Sequence, residues 1–314
     1  MPPVLSDVDY DALGKQVSVL RVPYTRDSAG LGSVAIPIAV IRGGPGPTAL
    51  LTAGTHGDEY EGQVALLKLV RELEPEDVHG RLIILPALNH PAVAAGRRLS
   101  PVDGLDLNRC YPGDPDGTVT PVIAHYVEHV VFPMCDAVLD HHSAGYSMRA
   151  RPFVAIHDAP DRTVTDRALA LADAYLTDTV AIWRGVDAGK NQLAAAERHG
   201  LAAACAEIGE GGRLSPATLE ATESGVRNAL RLLGILEGRP ARREERGLAP
   251  ARLLHTPSAD CDVYAPMAGI YEAFHEPSAL VEAGQAAGAI HDIEDPTRQP
   301  AIVEFRYSGY LLLS

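Results

Sequence analysis

Ala49-Leu50-Leu51-Thr52-Ala53-Gly54-Thr55-His56-Gly57-Asp58-Glu59-Tyr60-Glu61-Gly62 runs from an apolar segment through a glycine-punctuated turn into an amphipathic stretch. The first six residues read as a buried strand ending in glycine, and Val64, Leu66, Leu67, Val70 and Leu73 then recur at helical spacing. His56 and Glu59 sit where strand passes into helix. Residues three apart on a helix share a face, so this His-x-x-Glu pair can bring an imidazole nitrogen and a carboxylate onto one metal ion. A zinc centre that does chemistry usually takes three protein ligands and leaves a position for water. A third ligand and a base are therefore expected downstream.

Working outward, 81–87 and 136–140 read as further strands, the second preceded by a helical pattern over 121–132. Helical stretches follow at 165–176 and 215–236, with a strand at 202–208 between them. Short apolar runs alternating with amphipathic stretches predict an α/β sheet flanked by helices, and in such sheets the ligand crevice lies beyond the carboxyl ends of the strands. The segment 237–247 is charged, punctuated by Gly and Pro and free of apolar period, so it reads as a linker. The expected division is a catalytic domain over 1–240 and a small all-β domain over 247–314, its strands falling in 263–271 and 278–285. Gly43-Gly44-Pro45-Gly46 lacks the Lys-Ser/Thr of a phosphate loop and reads as a tight turn.

A chain of 314 residues with 46% hydrophobic and 22% charged residues is ordinary for a globular protein. Its formal net charge of −14 argues against a nucleic-acid partner, which would have to be met with Lys and Arg. No apolar run approaches the roughly 20 residues that span a bilayer, and the first residues carry no signal pattern, so no membrane partner and a cytoplasmic location are expected. Cys110, Cys135, Cys205 and Cys261 are scattered, which suits reduced thiols. The oligomeric state, a homo-oligomer included, is left open.

The candidate third ligand lies in Asp140-His141-His142-Ser143, at the end of an apolar strand. Adjacent strand residues point to opposite faces, so one of the two histidines faces the crevice. Asp140 suits a supporting role, since ligating histidines commonly hand their other ring N–H to a carboxylate. Asp58 is a candidate for the helix N-terminus. Glu207, ending the apolar run 202–206, is a carboxylate whose burial would raise its pKa toward that of a general base, with Glu210 as competitor. Arg97, Arg98, Asn108 and Arg109 fall in one loop-like stretch, where a guanidinium can bind a carboxylate or steady a developing oxyanion.

Taken in order, G-T-H-G-D-E at 54–59, N-H-P-A at 89–92, D-L-N-R at 106–109, D-H-H-S at 140–143 and E-I-G at 207–209 resemble the succinylglutamate desuccinylase/aspartoacylase family of zinc carboxypeptidase-like hydrolases. The resemblance implies a zinc-carboxypeptidase-like mixed α/β sheet. It implies one Zn2+ per chain on His56, Glu59 and His142, with Glu207 as general base and acid and Arg98 polarising the scissile carbonyl. Asn108 and Arg109 would grip the α-carboxylate of a small N-acyl amino acid. R-L-S-P-V-D-G at 98–104 and Y-P-G-D-P-D-G-T-V-T at 111–120 look closest to the Nα-acetyl-L-2,4-diaminobutyrate deacetylase branch of ectoine breakdown, and A-P-M-A-G-I-Y and V-E-A-G-Q near the end are similar to a lipoyl-like barrel. The expected reaction is amide hydrolysis to a carboxylate and a free amino acid. The rival readings are a metallocarboxypeptidase acting on peptides, a non-catalytic acyl-amino-acid-binding protein, and a structural metal site, which would need a fourth protein ligand.

Overall fold

The computed structural model describes residues 4–184, 189–256 and 258–314. Its centre is a ten-stranded mixed sheet built from β1 (Leu5–Ser6), β2 (Gly14–Pro23), β3 (Ser33–Arg42), β4 (Thr48–Ala53), β5 (Arg81–Leu85), β6 (Ala137–His142), β7 (Phe153–His157), β8 (Thr179–Trp183), β9 (Ala202–Glu207) and β10 (Arg252–Thr256). The spatial order is β1-β2-β3-β5-β4-β6-β9-β7-β8-β10. The pairs β5-β4, β4-β6 and β6-β9 at the centre are parallel, and so are β7-β8 and β8-β10. The β9-β7 pair and the β1-β2-β3-β5 edge are antiparallel.

Parallel strands covered on both faces need apolar residues on both, and every residue of β4 and β6 is buried. Helices α1 (Tyr60–Glu72), α4 (Arg162–Asp173) and α6 (Pro216–Leu232) cover one face, through Leu66, Leu69, Leu171, Val226 and Leu230. On the other face lie α3 (Val119–Tyr126) and α5 (Gln192–Arg198), which contribute Val122, Ile123 and Leu193. Short α2 (His90–Ala95) follows β5. Gly62 lets α1 settle onto the sheet: a Cβ there would come within 2.4 Å of His141 Cβ.

The mixed α/β sheet with helices on both faces and a small all-β part at the C-terminus agrees with the sequence reading. That part holds a three-stranded sheet of β11 (Ile270–Ala273), β13 (Ala286–His291) and β14 (Ala301–Glu304), and a two-stranded one of β12 (Leu280–Val281) and β15 (Gly309–Tyr310). Val281, Ile290, Val303 and Phe305 form its core. The large sheet does not stop at the charged segment, because β10 pairs with β8.

Nor does 237–247 behave as a free linker. Arg243 is buried, with its guanidinium donating to Asp173 Oδ1 at 2.5 Å and to the carbonyls of Thr177 and Ala249, and Asn228 brackets Ala241 with two hydrogen bonds. The pattern read as helix over 121–132 is also broken up: α3 gives way to a π turn over Val127–Val131 and a 3₁₀ turn over Phe132–Met134. The apolar period survives such changes of hydrogen-bond register, which is why the sequence shows one helix.

Candidate metal centre and its surroundings

The carboxyl ends of β4, β6 and β9 are neighbours in the sheet, and the chemistry-bearing residues emerge there. After β4, Gly54 takes φ +69°, a left-handed turn suited to glycine, and the chain swings His56 back over the sheet edge. Helix α1 starts only at Tyr60, with Glu59 as its N-cap. His56 and Glu59 thus converge through this turn and not through helical spacing, and the Glu59 side chain makes no capping bond.

Glu59 reaches both imidazoles: Oε1 lies 2.7 Å from His56 Nδ1 and Oε2 lies 2.8 Å from His142 Nδ1. The two Nδ1 atoms stand 3.3 Å apart. Each histidine also backs its Nε2 against a carboxylate, His56 on Asp106 Oδ1 at 3.0 Å and His142 on Asp140 Oδ2 at 2.9 Å. All three of His56, Glu59 and His142 are buried.

His141 points the other way. Its Nδ1–H donates to the Thr52 carbonyl at 2.9 Å, and its Nε2 accepts from the Tyr175 hydroxyl at 2.7 Å. Burial pushes its pKa down to about 4, so it stays neutral between Thr52 and Tyr175. Asp58 does not cap α1 either; its Oδ2 accepts from Tyr146 N, holding the loop after β6. Glu210 is exposed and accepts from Ala150 N.

The electrostatics favour positive charge at the centre. Burial pulls His142 down, but Asp140 and Glu59 outweigh it and raise its pKa well above the usual imidazole range. His56 is raised in the same way by Glu59 and Asp106 against burial. The two imidazoles in turn hold Glu59 low, against the burial that would raise it.

Glu207 stands in register beside His142 on β9 and is half-buried. Burial, aided by the Glu59 charge and opposed by His142, lifts it to about 7.

Zinc fits this donor set. Two imidazole nitrogens at about 2.0–2.1 Å from a tetrahedral zinc stand roughly 3.3–3.4 Å apart, the spacing the two Nδ1 atoms already have. Carboxylate support on the far nitrogens is the usual companion of ligating histidines. Among the described residues, Asp140, His142 and Cys205 form a second possible group, but it shares His142 with the first. Burial and the charges of Glu207 and Asp140 also keep the Cys205 thiol protonated.

Arg98 overhangs the centre, with Nη1 at 3.5 Å from His56 Nδ1 and Nη2 at 3.1 Å from Asp106 Oδ2. Arg97 is exposed, and its carbonyl accepts from Gly57 N. Asn108 and Arg109 lie in the 3₁₀ turn Leu107–Arg109, capped by Asp106 Oδ1 on Asn108 N at 2.8 Å. Asn108 Oδ1 accepts from Gln192 N at 2.9 Å. Sequence reasoning named Asp106 only as part of a motif and missed it as the partner of His56; the histidine-carboxylate rule applied to Asp140 calls for such a partner without saying which carboxylate it is. Thr52 and Gln192, which complete the buried polar shell, carry no sequence signal.

Comparison with known proteins places the chain among relatives of the same fold. Residues 45–233 match the profile of the succinylglutamate desuccinylase/aspartoacylase catalytic domain. The chain is 41% identical over 304 residues to the N-alpha-acetyl-L-2,4-diaminobutyric acid deacetylase of Halomonas elongata, covering 97% of this chain and 87% of that protein. A succinylglutamate desuccinylase/aspartoacylase from Rhodobacter sphaeroides superimposes with TM-score 0.90 at 38% identity, covering 99% of this chain and 94% of the other. The product-bound ectoine utilization protein EutE (DoeB) from Ruegeria pomeroyi gives TM-score 0.90 at 35% identity, with 100% and 94% covered. With the ordered motifs gathered at one sheet end and most of the chain matched, the protein belongs to the succinylglutamate desuccinylase/aspartoacylase family.

Proposed function

We propose that this protein is a zinc-dependent amidohydrolase that removes the acyl group from a small N-acyl amino acid, with an Nα-acetyl-diaminobutyrate-type compound as the preferred substrate. The observation that carries the reading is the convergence of His56 Nδ1, His142 Nδ1 and Glu59, each imidazole backed by a carboxylate, beside a Glu207 whose pKa is about 7. The deacetylase relative at 41% identity supports the choice of substrate.

His56, Glu59 and His142 would hold one zinc per chain. Zinc bound there supplies Lewis acidity, making a nearby water more acidic and the acyl carbonyl more electrophilic. Glu207, poised near neutrality, takes the proton of the attacking water and returns it to the departing amine nitrogen. Arg98 donates to the carbonyl oxygen as negative charge grows on it. Asn108 offers its side-chain NH2 to the substrate carboxylate, its Oδ1 being fixed by Gln192, and Arg109 adds charge beside it. Of the expected 247–314 unit, β10 belongs to the large sheet, and the part from Ile270 onward would form the lipoyl-like module beside the 1–240 catalytic unit and rim the crevice. The Arg149–Glu276 ion pair and the bridge between Ala150 and Leu313 tie it to the loop after β6.

The test is a panel of N-acetyl, N-succinyl and N-formyl amino acids, Nα-acetyl-diaminobutyrate included, beside C-terminal peptide substrates, with released amine and bound zinc measured. The expected result is about one zinc per chain and the highest kcat/KM on the acetyl-diaminobutyrate. Absence of turnover on every N-acyl amino acid with zinc present would sink the proposal, and a preference for peptides would move it to a carboxypeptidase.

A further inference from the structure

We propose that Gln192 is a positioning residue that fixes the metal-facing nitrogen of His142 through a one-way hydrogen-bond relay, and that its backbone sets the carboxylate clamp at the same time. The inference rests on the zinc hydrolase reading above.

The relay is buried throughout. Tyr111 OH donates to Gln192 Oε1 at 2.8 Å, Gln192 Nε2 donates to Thr52 Oγ1 at 2.7 Å, and Thr52 Oγ1 donates to Asp140 Oδ1 at 2.7 Å. Asp140 Oδ2 then meets His142 Nε2 at 2.9 Å. Tyr111, Gln192, Thr52 and Asp140 are each at most 1% exposed, so water does not compete.

The chemistry of the links sets their direction. An amide nitrogen can only donate, so Thr52 Oγ1 accepts from Gln192 and has to turn its own proton toward Asp140. Asp140, accepting that hydrogen bond on Oδ1, is held as an acceptor and takes the N–H of His142 on Oδ2. His142 thereby keeps a proton on Nε2, so that when a metal displaces the other proton it is the Nδ1 lone pair that is freed on the side of Glu59 and His56. The relay writes the tautomer that metal ligation requires.

The same residue holds the other wall. Gln192 N donates to Asn108 Oδ1, and Asn108 N donates to Asp106 Oδ1, the atom that backs His56 Nε2. The two carboxylates behind the two histidines are therefore joined through Thr52, Gln192 and Asn108. A glutamine serving only the fold would need partners of any kind; both branches from Gln192 end on a histidine of the metal centre.

Gln192→Met keeps the side-chain length and removes the amide, and Thr52→Val keeps the shape and removes the hydroxyl, whereas Thr52→Ser keeps the link. Zinc affinity is read on each purified protein by competition with a chelator, alongside thermal stability and KM at saturating zinc. Loss of an outer partner of a ligating histidine typically costs about 10–100-fold in metal affinity. Gln192→Met and Thr52→Val should each weaken zinc by that factor, the double variant by no more than the larger single effect, and Thr52→Ser should stay within about threefold of the parent.

A folded Gln192→Met or Thr52→Val protein with parental zinc affinity overturns the proposal, as do single effects that simply add. If Gln192→Met does not fold, the Thr52→Val and Thr52→Ser pair decides. A parent that binds no zinc defeats the hydrolase reading itself, whereas a zinc-binding parent with indifferent variants defeats only the relay.

Discussion

Replacing Glu207 by Gln separates the role proposed for this carboxylate from its cost to the fold. Glu207 is lifted from an ordinary 4.5 to about 7, mainly by burial, in the metal-free protein. Because the folded-state pKa is raised, the carboxyl is protonated in both folded and unfolded chains below 4.5, and its ionisation there costs the fold nothing. As pH rises from 4.5 to about 7, the unfolded chain ionises first, and stability falls until the folded group ionises too. The full penalty is in force above that window. At about 1.36 kcal/mol per pKa unit its ceiling is about 3 kcal/mol, and the exposed edge of the side chain brings this to about 1–2 kcal/mol. Glutamine has no charge to desolvate. Urea unfolding of chelator-treated parent and Glu207→Gln should therefore agree within a few tenths of a kcal/mol near about pH 4.5, while near about pH 8.5 the variant should be the more stable by about 1–2 kcal/mol. Its turnover should fall by roughly 10²–10⁴-fold with zinc content unchanged. A variant that is no more stable than the parent at the higher pH, or that keeps a tenth of the activity, refutes the reasoning.

Four further outcomes are expected. Zinc has to displace protons from His56 and His142, whose pKa values are raised by Glu59, Asp140 and Asp106, so a chelator titration should show affinity falling as pH drops, by up to about two logarithmic units per pH unit; a pH-independent affinity contradicts the ligand set. Arg98→Ala should lower kcat/KM by roughly 10²–10³-fold and Arg97→Ala by less than about threefold, because only Arg98 reaches the centre; equal effects in steady-state kinetics would remove Arg98 from its role. Asn108→Ala should raise KM roughly tenfold for substrates with a free α-carboxylate and leave the corresponding amides nearly unchanged; an equal loss on both would dissolve the clamp. Gly62→Ala should destabilise by about 1–3 kcal/mol in urea unfolding, since the new methyl meets His141 Cβ.

Elements with local periodicity were readable from the chain. The apolar run into β4, the helical spacing of α1 and the strand ending in Asp140-His141-His142 are each encoded within about a dozen residues, and the alternation of β6 already required one histidine to turn away. What escaped depends on partners distant in sequence. Gln192 meets Thr52 across 140 residues, and Asp106 meets His56 across 50, so neither contact leaves a spacing to detect. The charged stretch around Arg243 reads as solvated from composition, whereas a guanidinium can be buried once carbonyls and a carboxylate surround it. The convergence of His56 and Glu59 was anticipated in kind but attributed to helical spacing, and it is the Gly54 turn that delivers it.

The neighbouring placement of β4, β6 and β9 also bears on when the two histidines can meet as the chain folds. His56 and His142 lie 86 residues apart, and their Nδ1 atoms come within 3.3 Å of each other only once β4 and β6 have paired in register. Such long loops close late, because their entropy is lost before distant contacts reward it. On the zinc reading proposed above, the ion would be a guest of a finished scaffold and not a template for it. Loading would then be a separate step that follows the pairing of β4 with β6.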